Sequence, residues 1–248
     1  MADGVEDNLN DYLDFQGDSK DTDVLILYLL LCNPFEKLYN KYKGKSMDYI
    51  LEHVDMDIKK IRSNGEGHIN KLDEVYANKR IETLKNAGIL DENMGKIKDI
   101  SNDSLKTLKK EYHQTFNNIC DEFNGQIKSG IYFHKDTKTV DDFTVDSYFK
   151  KVINRLKKQC EFDVLSAKNQ ALIDSYTFLY GNPMVYWVTA DLDTTCSLCR
   201  RLESESPKRM SDFPKPPIHV NCYCEICVAP DEQLTDEADK LRYYDVGD

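Results

Sequence analysis

The sequence predicts an α+β protein, with a mostly helical N-terminal domain followed by a small C-terminal α+β domain. Several stretches before residue 180 repeat apolar residues at helical spacing. A short segment rich in β-forming residues then leads into a group of cysteines and one histidine at the spacing of metal ligands. The second observation predicts that a bound zinc ion stabilises the small domain.

The domain boundaries follow from composition. Residues 1–21 are acidic and poor in aliphatic side chains, so burial cannot offset the entropy lost on ordering them, and we interpret them as an acidic flexible arm. Residues 22–135 form the predicted helical domain. Residues 136–230 contain a long helix, a strand and the zinc-binding segment, and residues 231–248 form an acidic tail.

The first predicted helix contains the most apolar run of the chain, Val24 to Cys32. This run is about half of the ~18 residues that a bilayer-spanning helix needs, so we interpret it as buried and expect no membrane partner. Acidic residues precede it, where a secretory signal would carry basic ones. We therefore expect a soluble protein made in a reducing cytoplasm, and we expect Pro34 to end or kink the helix.

Further helices are predicted from apolar periodicity at about 46–63, 69–88, 104–130 and 147–179. Ser104 is a candidate N-cap of the third of these helices, and Gly130 is its predicted end. The segment 131–145 is predicted to be a short strand or a connection, and it sets the domain boundary. Residues 184–188 are dense in β formers and predict a strand that leads into the metal motif.

The metal motif lies between Trp187 and Cys227, a stretch that holds five of the eight cysteines. A Cys-x-x-Cys turn directs two thiolates at one point, and a His-x-x-Cys turn returns an imidazole and a third thiolate, which completes a tetrahedron around Zn²⁺. The predicted ligands are Cys196, Cys199, His219 and one of Cys222 or Cys224. We expect the side chains of the last two to point in different directions, so that only one reaches the ion, and the spacing does not choose between them.

Other interpretations of the cysteines are weaker. A disulfide framework requires an oxidising compartment, a redox Cys-x-x-Cys would leave the second cluster unexplained, and chance clustering of free thiols is no better supported. The remaining Cys32, Cys120 and Cys160 lie on apolar helical faces, where cysteine acts as a small hydrophobic residue, and we assign them no chemistry.

The sequence predicts a protein that is not an enzyme. The phosphate-binding, dinucleotide-binding and nucleophile-elbow glycine motifs do not occur in it. Its net charge of −11 disfavours generic DNA binding, because lysine and arginine supply most non-specific affinity for phosphate. We interpret His53, His68 and His113 as surface residues rather than bases.

Two alternative functions remain open. A zinc-stapled nuclease would use His219 beside the paired cysteines, although no histidine follows it in the chain to hold a catalytic metal. A zinc-finger nucleic-acid-binding protein would need concentrated basic residues, and those between 200 and 209 are interspersed with acidic ones.

The motif also resembles that of a known family. The run YWVTADLDTTCSLCRRL followed by PPIHVNCYCEI resembles the C-terminal signature of the phage head-morphogenesis family, the Mu F-like minor head proteins of tailed viruses. In that family an aromatic strand leads to an aspartate, a Thr-Cys-x-x-Cys turn and a closing Pro-Pro-x-His-x-x-Cys-Arg-Cys. The likeness covers about residues 167–230, and Tyr223 stands where the family usually has arginine.

The resemblance implies a structural minor head protein that acts in capsid assembly. The implied location is inside the virion head near the portal vertex, with the host cytoplasm as the site of assembly. The implied partners are the portal protein and the major capsid protein, and contact with packaged double-stranded DNA is left open. The implied zinc site is structural.

Overall fold

The structure is a computed structural model, and it describes residues 21–63, 66–97, 102–137, 144–190 and 195–242. The helices in these ranges are α1 (Thr22–Tyr42), α2 (Met47–Ser63), α3 (Glu66–Asn86), α4 (Asn102–Thr137), α5 (Asp146–Tyr180), α6 (Ser197–Ser204) and α7 (Asp236–Lys240). Short 3₁₀ helices cover Asp91–Lys96 and Met210–Asp212, and the strands are β1 (Met184–Val188), β2 (Lys208–Arg209) and β3 (Glu225–Val228).

The predicted α+β class is confirmed, since the described chain is mostly helical with a small antiparallel sheet near its C-terminal end. Residues 1–20 of the predicted arm, the predicted break at 64–65 and the last six residues of the predicted tail lie outside the described ranges. Every helix within those ranges is too short or too polar to span a bilayer.

Helix α1 continues through Pro34, so this proline does not end the helix, and the alternative expectation of a kink stays a prediction. Asp21 caps the helix by accepting the Asp23 backbone N–H at 3.0 Å. The buried face continues on both sides of the proline through Leu27, Leu31, Phe35, Leu38 and Tyr42. Packing of this face outweighs the roughly 3 kcal/mol cost of an interior proline.

Helix α4 extends beyond both of its predicted ends, and it continues seven residues past Gly130 to Thr137. Gly130 is therefore not a helix stop. A Cβ at this position would lie 1.8 Å from Tyr148 Oη, so the absence of a side chain lets the tyrosine approach the helix. The predicted strand or connection at 131–145 is helical up to residue 137, and residues 138–143 lie outside the described ranges.

The chain forms two compact units, each built from two separate stretches. Of the described residues, those up to 71 and at 111–161 form unit 1, and those at 72–110 and from 162 to 242 form unit 2. Unit 1 has an aromatic core. The centroid of the Phe123 ring lies 5.4 Å from that of Phe35 and 4.8 Å from that of Phe149, and both pairs pack edge to face. The sequential domains predicted at 22–135 and 136–230 remain predictions.

Unit 2 carries the sheet, with strand order β2-β1-β3 and antiparallel pairing throughout. Strand β1 is central, and its alternation buries Val185 and Trp187 while Tyr186 and Val188 stay exposed. The buried cluster behind this face comprises Val185, Trp187, Cys199, Leu202, Phe213, Cys222, Cys224 and Ile226. Three of the predicted metal ligands therefore belong to the core of unit 2.

Part of the predicted acidic tail is ordered within unit 2. Helix α7 begins after Thr235, whose hydroxyl accepts the Ala238 N–H at 3.2 Å and donates to the Phe178 carbonyl at 3.0 Å. The backbone N–H of Thr235 also donates to the Leu179 carbonyl at 2.7 Å, and Ala238 is fully buried. These contacts fix the chain that follows β3.

Candidate metal centre

The first pair of predicted ligands lies at the start of α6. Cys196 is the N-cap residue, and its Sγ accepts the Cys199 backbone N–H at 3.3 Å. One turn of helix separates the two side chains, so both thiols face the interior of unit 2 from the same side. Cys199 is 2% exposed, whereas Cys196 is only partly buried.

The second group of predicted ligands lies on the chain that leads into β3. The Cys222 N–H donates to the His219 carbonyl at 3.0 Å, and Asn221 adopts a left-handed conformation with φ 65°. This turn brings the side chains of His219 and Cys222 back towards α6. The imidazole lies at the surface, and the thiol is buried.

Cys222 and Cys224 face the same side, and the expectation that they would point in different directions is wrong. Burial alternates from Cys222 through Tyr223 and Cys224 into β3, with both cysteines 3% exposed and the tyrosine exposed. Successive side chains of an extended chain point to opposite sides, so residues two apart share a side. The extended chain thus presents both thiols to Cys199.

The structure brings together all five predicted site residues. The ligand atoms form two groups within 4.8 Å, one of Cys196, Cys199 and His219 and the other of Cys199, Cys222 and Cys224. Cys199 Sγ lies 3.7 Å from Cys222 Sγ and 3.8 Å from His219 Nε2. A tetrahedral zinc ion separates its ligand atoms by roughly 3.5–3.8 Å, so these two distances match edges of a zinc tetrahedron. Cys199 is the residue that the two groups share.

The histidine presents the nitrogen that a metal needs. His219 Nδ1 lies 2.9 Å from the Val220 carbonyl, and a proton donated there leaves Nε2 with a free lone pair. Nε2 lies 3.1 Å from Cys196 Sγ. Metal-binding histidines commonly fix their tautomer through such a carbonyl contact.

The space between the ligands suits a single small ion. A cavity of about 20 Å³ lies among the five side chains, and its other lining residues are Ala190, Thr195, Asn221 and Tyr223. A volume of ≳ 10–15 Å³ admits one water-sized occupant. Three of the residues that line the cavity, Cys199, Cys222 and Cys224, also belong to the apolar cluster of unit 2.

The four thiols of the cluster differ in the direction in which their surroundings shift the pKa. The Cys199 backbone N–H, aided by His219, lowers the pKa of Cys196 to about 7. Burial raises the pKa of Cys222, but the backbone N–H groups of Cys224 and Ile218 outweigh it, so this pKa is also lowered. Burial raises the pKa of Cys199, and it raises that of Cys224 to about 11. A bound cation would be needed to hold Cys199 as a thiolate.

Two residues beside the ligands have roles that the sequence does not indicate. The Trp187 indole Nε1 is buried without a hydrogen bond of ordinary geometry in the described part of the chain, and the Cys224 thiol is the polar group beside it. Asn169 Nδ2 on α5 donates to the Cys224 carbonyl at 3.2 Å. Neither role has a signal in local sequence, because both partners are distant along the chain.

The cysteines and histidines outside the cluster vary in exposure. Cys32, Cys120 and Cys160 are fully buried in helices, while Cys227 is exposed. The interpretation of His68 as a surface residue is wrong, because its ring is 2% exposed and lies 5.1 Å from the Phe116 ring. The two residues lie on α3 and α4, and their packing is a tertiary contact that the charged neighbours of His68 in sequence do not indicate.

Comparison of the chain with protein families, curated proteins and solved structures finds no match. The resemblance to the head-morphogenesis signature therefore depends on the motif residues alone.

Proposed function

We propose that unit 2 binds one structural zinc ion and that the protein acts as a minor head protein of a tailed virus. The observation that carries the proposal is the convergence of Cys196, Cys199, His219, Cys222 and Cys224 around one small cavity. The cluster follows an aromatic strand in the same order as the head-morphogenesis signature.

A structural site is favoured over a catalytic one by the number of ligands. Catalytic zinc usually keeps three protein ligands and an open position for water, whereas structural zinc has four protein ligands. Five candidate ligand atoms converge here, four of them sulfur, which is enough to fill the coordination sphere. Three of the thiols are also part of the apolar core, so the ion would stabilise the packing of the sheet against α6.

The proposed partners are the portal protein and the major capsid protein. A rigid zinc-held unit gives a docking surface a fixed shape. The net charge of −11 favours contacts with protein over contacts with packaged DNA, since like charges repel the phosphates.

The metal is tested with Cys196→Ser and a matched control. Purified wild-type protein is expected to contain one zinc ion per chain by elemental analysis. Cys196→Ser is expected to lose the ion and to destabilise unit 2, because a structural ion contributes folding free energy directly. Cys227→Ser removes an exposed cysteine outside both ligand groups and is expected to keep the ion. Full zinc content in Cys196→Ser would contradict the ligand assignment.

The virion role is tested by mass spectrometry of purified, nuclease-treated particles from the source that encodes the chain. A low and fixed ratio to the portal subunit is expected. Absence from mature particles would contradict a resident head protein. Cleavage of DNA that requires Mg²⁺ or Mn²⁺ and is lost in His219→Ala would support the nuclease alternative instead.

A further inference from the structure

The cluster offers more ligand atoms than a tetrahedral ion can use. Zinc in structural sites takes four ligands, and five candidate atoms surround the cavity. Cys196, Cys199 and His219 form one group, so the open question is which thiol from the second group completes the set. The two candidates, Cys222 and Cys224, are equally buried, and burial therefore does not decide between them.

The backbone around Cys222 resembles that around Cys196. Backbone N–H groups lie at the sulfur of each of these cysteines. The Cys199 N–H donates to Cys196 Sγ at 3.3 Å, and the N–H groups of Cys224 and Ile218 lie beside Cys222 Sγ. Such N–H groups stabilise the negative charge of a thiolate ligand. Cys222 Sγ also lies 3.7 Å from Cys199 Sγ, close to the edge of a zinc tetrahedron.

His219 and Cys222 are the first and last residues of one hydrogen-bonded turn. The 219–222 hydrogen bond closes a turn of the same i, i+3 spacing that joins Cys196 to Cys199. Each turn therefore supplies two ligands three residues apart. Cys224 lies beyond the turn, next to the first residue of β3.

Cys224 also contacts residues of α5 and β1, the elements that support the site. Its carbonyl accepts the Asn169 side chain from α5 at 3.2 Å, and its thiol lies beside the buried indole N–H of Trp187 on β1. The sulfur is thus the acceptor available to that indole. These contacts join the turn to α5 and to the central strand.

We infer that Cys222 is the fourth zinc ligand and that Cys224 is a positioning residue, an inference that rests on the zinc site proposed above. The ligand set is Cys196, Cys199, His219 and Cys222. The Cys224 sulfur lies beside the Trp187 indole and helps to hold the His219–Cys222 turn against the sheet. The coordination is three sulfurs and one nitrogen, a set that prefers zinc and other soft divalent ions to Mg²⁺ or Ca²⁺.

The decisive experiment is X-ray absorption spectroscopy of the full chain loaded with Zn²⁺. Wild type and Cys224→Ser are both expected to show three sulfur ligands and one nitrogen ligand. Two sulfurs in Cys224→Ser would overturn the assignment, as would three sulfurs in Cys222→Ser. Two sulfurs in Cys224→Ser would overturn it even if Cys222→Ser fails to fold.

Zinc binding by the wild-type protein tests the proposed zinc site separately from the assignment of the fourth ligand. Wild-type protein that binds no zinc would remove the site and this inference together. If wild-type protein binds zinc and Cys224→Ser shows only two sulfur ligands, the zinc site stands and only the assignment of Cys222 is overturned.

The positioning role is tested by comparing Cys224→Ser with Cys224→Ala. Serine can still accept the indole N–H and alanine cannot, so serine is expected to retain zinc affinity, whereas alanine is expected to weaken it about tenfold or more. Trp187 is the single tryptophan, so its emission reports the same contact directly. Equal affinity and equal emission in the two variants would contradict the positioning role.

Discussion

At the scale of single residues, Asp57 shows how unit 1 accommodates a charge in its interior. The carboxylate is 8% exposed, and it accepts hydrogen bonds from Lys41 Nζ and from Tyr42 Oη, the latter at 2.7 Å. Burial raises its pKa, but the bonds from Lys41 and Tyr42 outweigh burial, so the pKa is lowered from its ordinary value of 3.8. The charged form is therefore the stable one in the folded protein.

The substitution Asp57→Asn is expected to lower the free energy of unfolding by about 1.5–3 kcal/mol at neutral pH, the range for a hydrogen-bonded charge. A lowered folded pKa contributes stability above the unfolded value, and that stability is lost as the pH falls through the folded value. The difference between wild type and variant should therefore shrink below about pH 4. Urea unfolding at neutral and acidic pH measures it.

The control is Asp55→Asn, which removes an exposed carboxylate whose pKa is also lowered, by bonds from Lys128 and Asn124. This change is expected to cost ~0–1 kcal/mol, because solvent screens an exposed pair. Equal losses in the two variants would contradict a special role for the buried carboxylate.

Residue spacing predicted the convergence of Cys196, Cys199, His219 and one further thiol, because ligand spacing is a local property. The expectation that Cys222 and Cys224 point in different directions was wrong because side-chain alternation was misapplied. The exposure of His68 was predicted wrongly from its charged neighbours. The partnership of Trp187 with Cys224 was not predictable, because it depends on how β1 pairs with β3.

At the scale of elements, α4 contains two glycines with opposite structural demands. A Cβ added at Gly125 would meet no atom within 4 Å, whereas the same atom at Gly130 would collide with the Tyr148 hydroxyl. Helix propensity favours alanine at both positions. Only the tertiary contact distinguishes them, which explains why the sequence pattern suggested a helix end at Gly130.

The pair of variants Gly125→Ala and Gly130→Ala tests this difference. Gly125→Ala is expected to stabilise the protein by about 0.5–1 kcal/mol through helix propensity. Gly130→Ala is expected to destabilise it by about 1–3 kcal/mol, as overpacking does. Thermal unfolding compares them, and stabilisation by both changes would show that Tyr148 moves aside at little cost.

At the scale of the whole molecule, the net charge is predictable from composition, whereas the make-up of the two units depends on contacts between distant residues. The net charge of −11 follows from composition alone. The make-up of the two units does not, because unit 2 depends on contacts such as that of Tyr76 Oη with Asp174 Oδ2 at 2.6 Å, which joins residues 98 positions apart. Periodicity predicted the helices that carry these residues, but local patterns contain no information about which helices meet.

The acidic chain is expected to bind double-stranded DNA with a dissociation constant weaker than about 10⁻⁴ M at physiological salt, because it lacks the excess of basic residues that drives phosphate binding. Fluorescence anisotropy with a labelled duplex measures this. Tight binding that weakens with salt and depends on base sequence would favour the zinc-finger alternative.

The split make-up of unit 2 sets the order of events during synthesis on the ribosome. Leu72, Val75 and Tyr76 are buried in the finished protein, but roughly 140 residues separate the end of α3 from Cys224, and translation at ~5–20 residues per second takes on the order of 10 s to cross them. The apolar residues of α3 therefore stay uncovered until the later part of unit 2 has been synthesised. Binding of the proposed zinc ion can be completed only after the His219–Cys222 turn has been made, so the ion would meet a nascent protein that already carries exposed apolar surface.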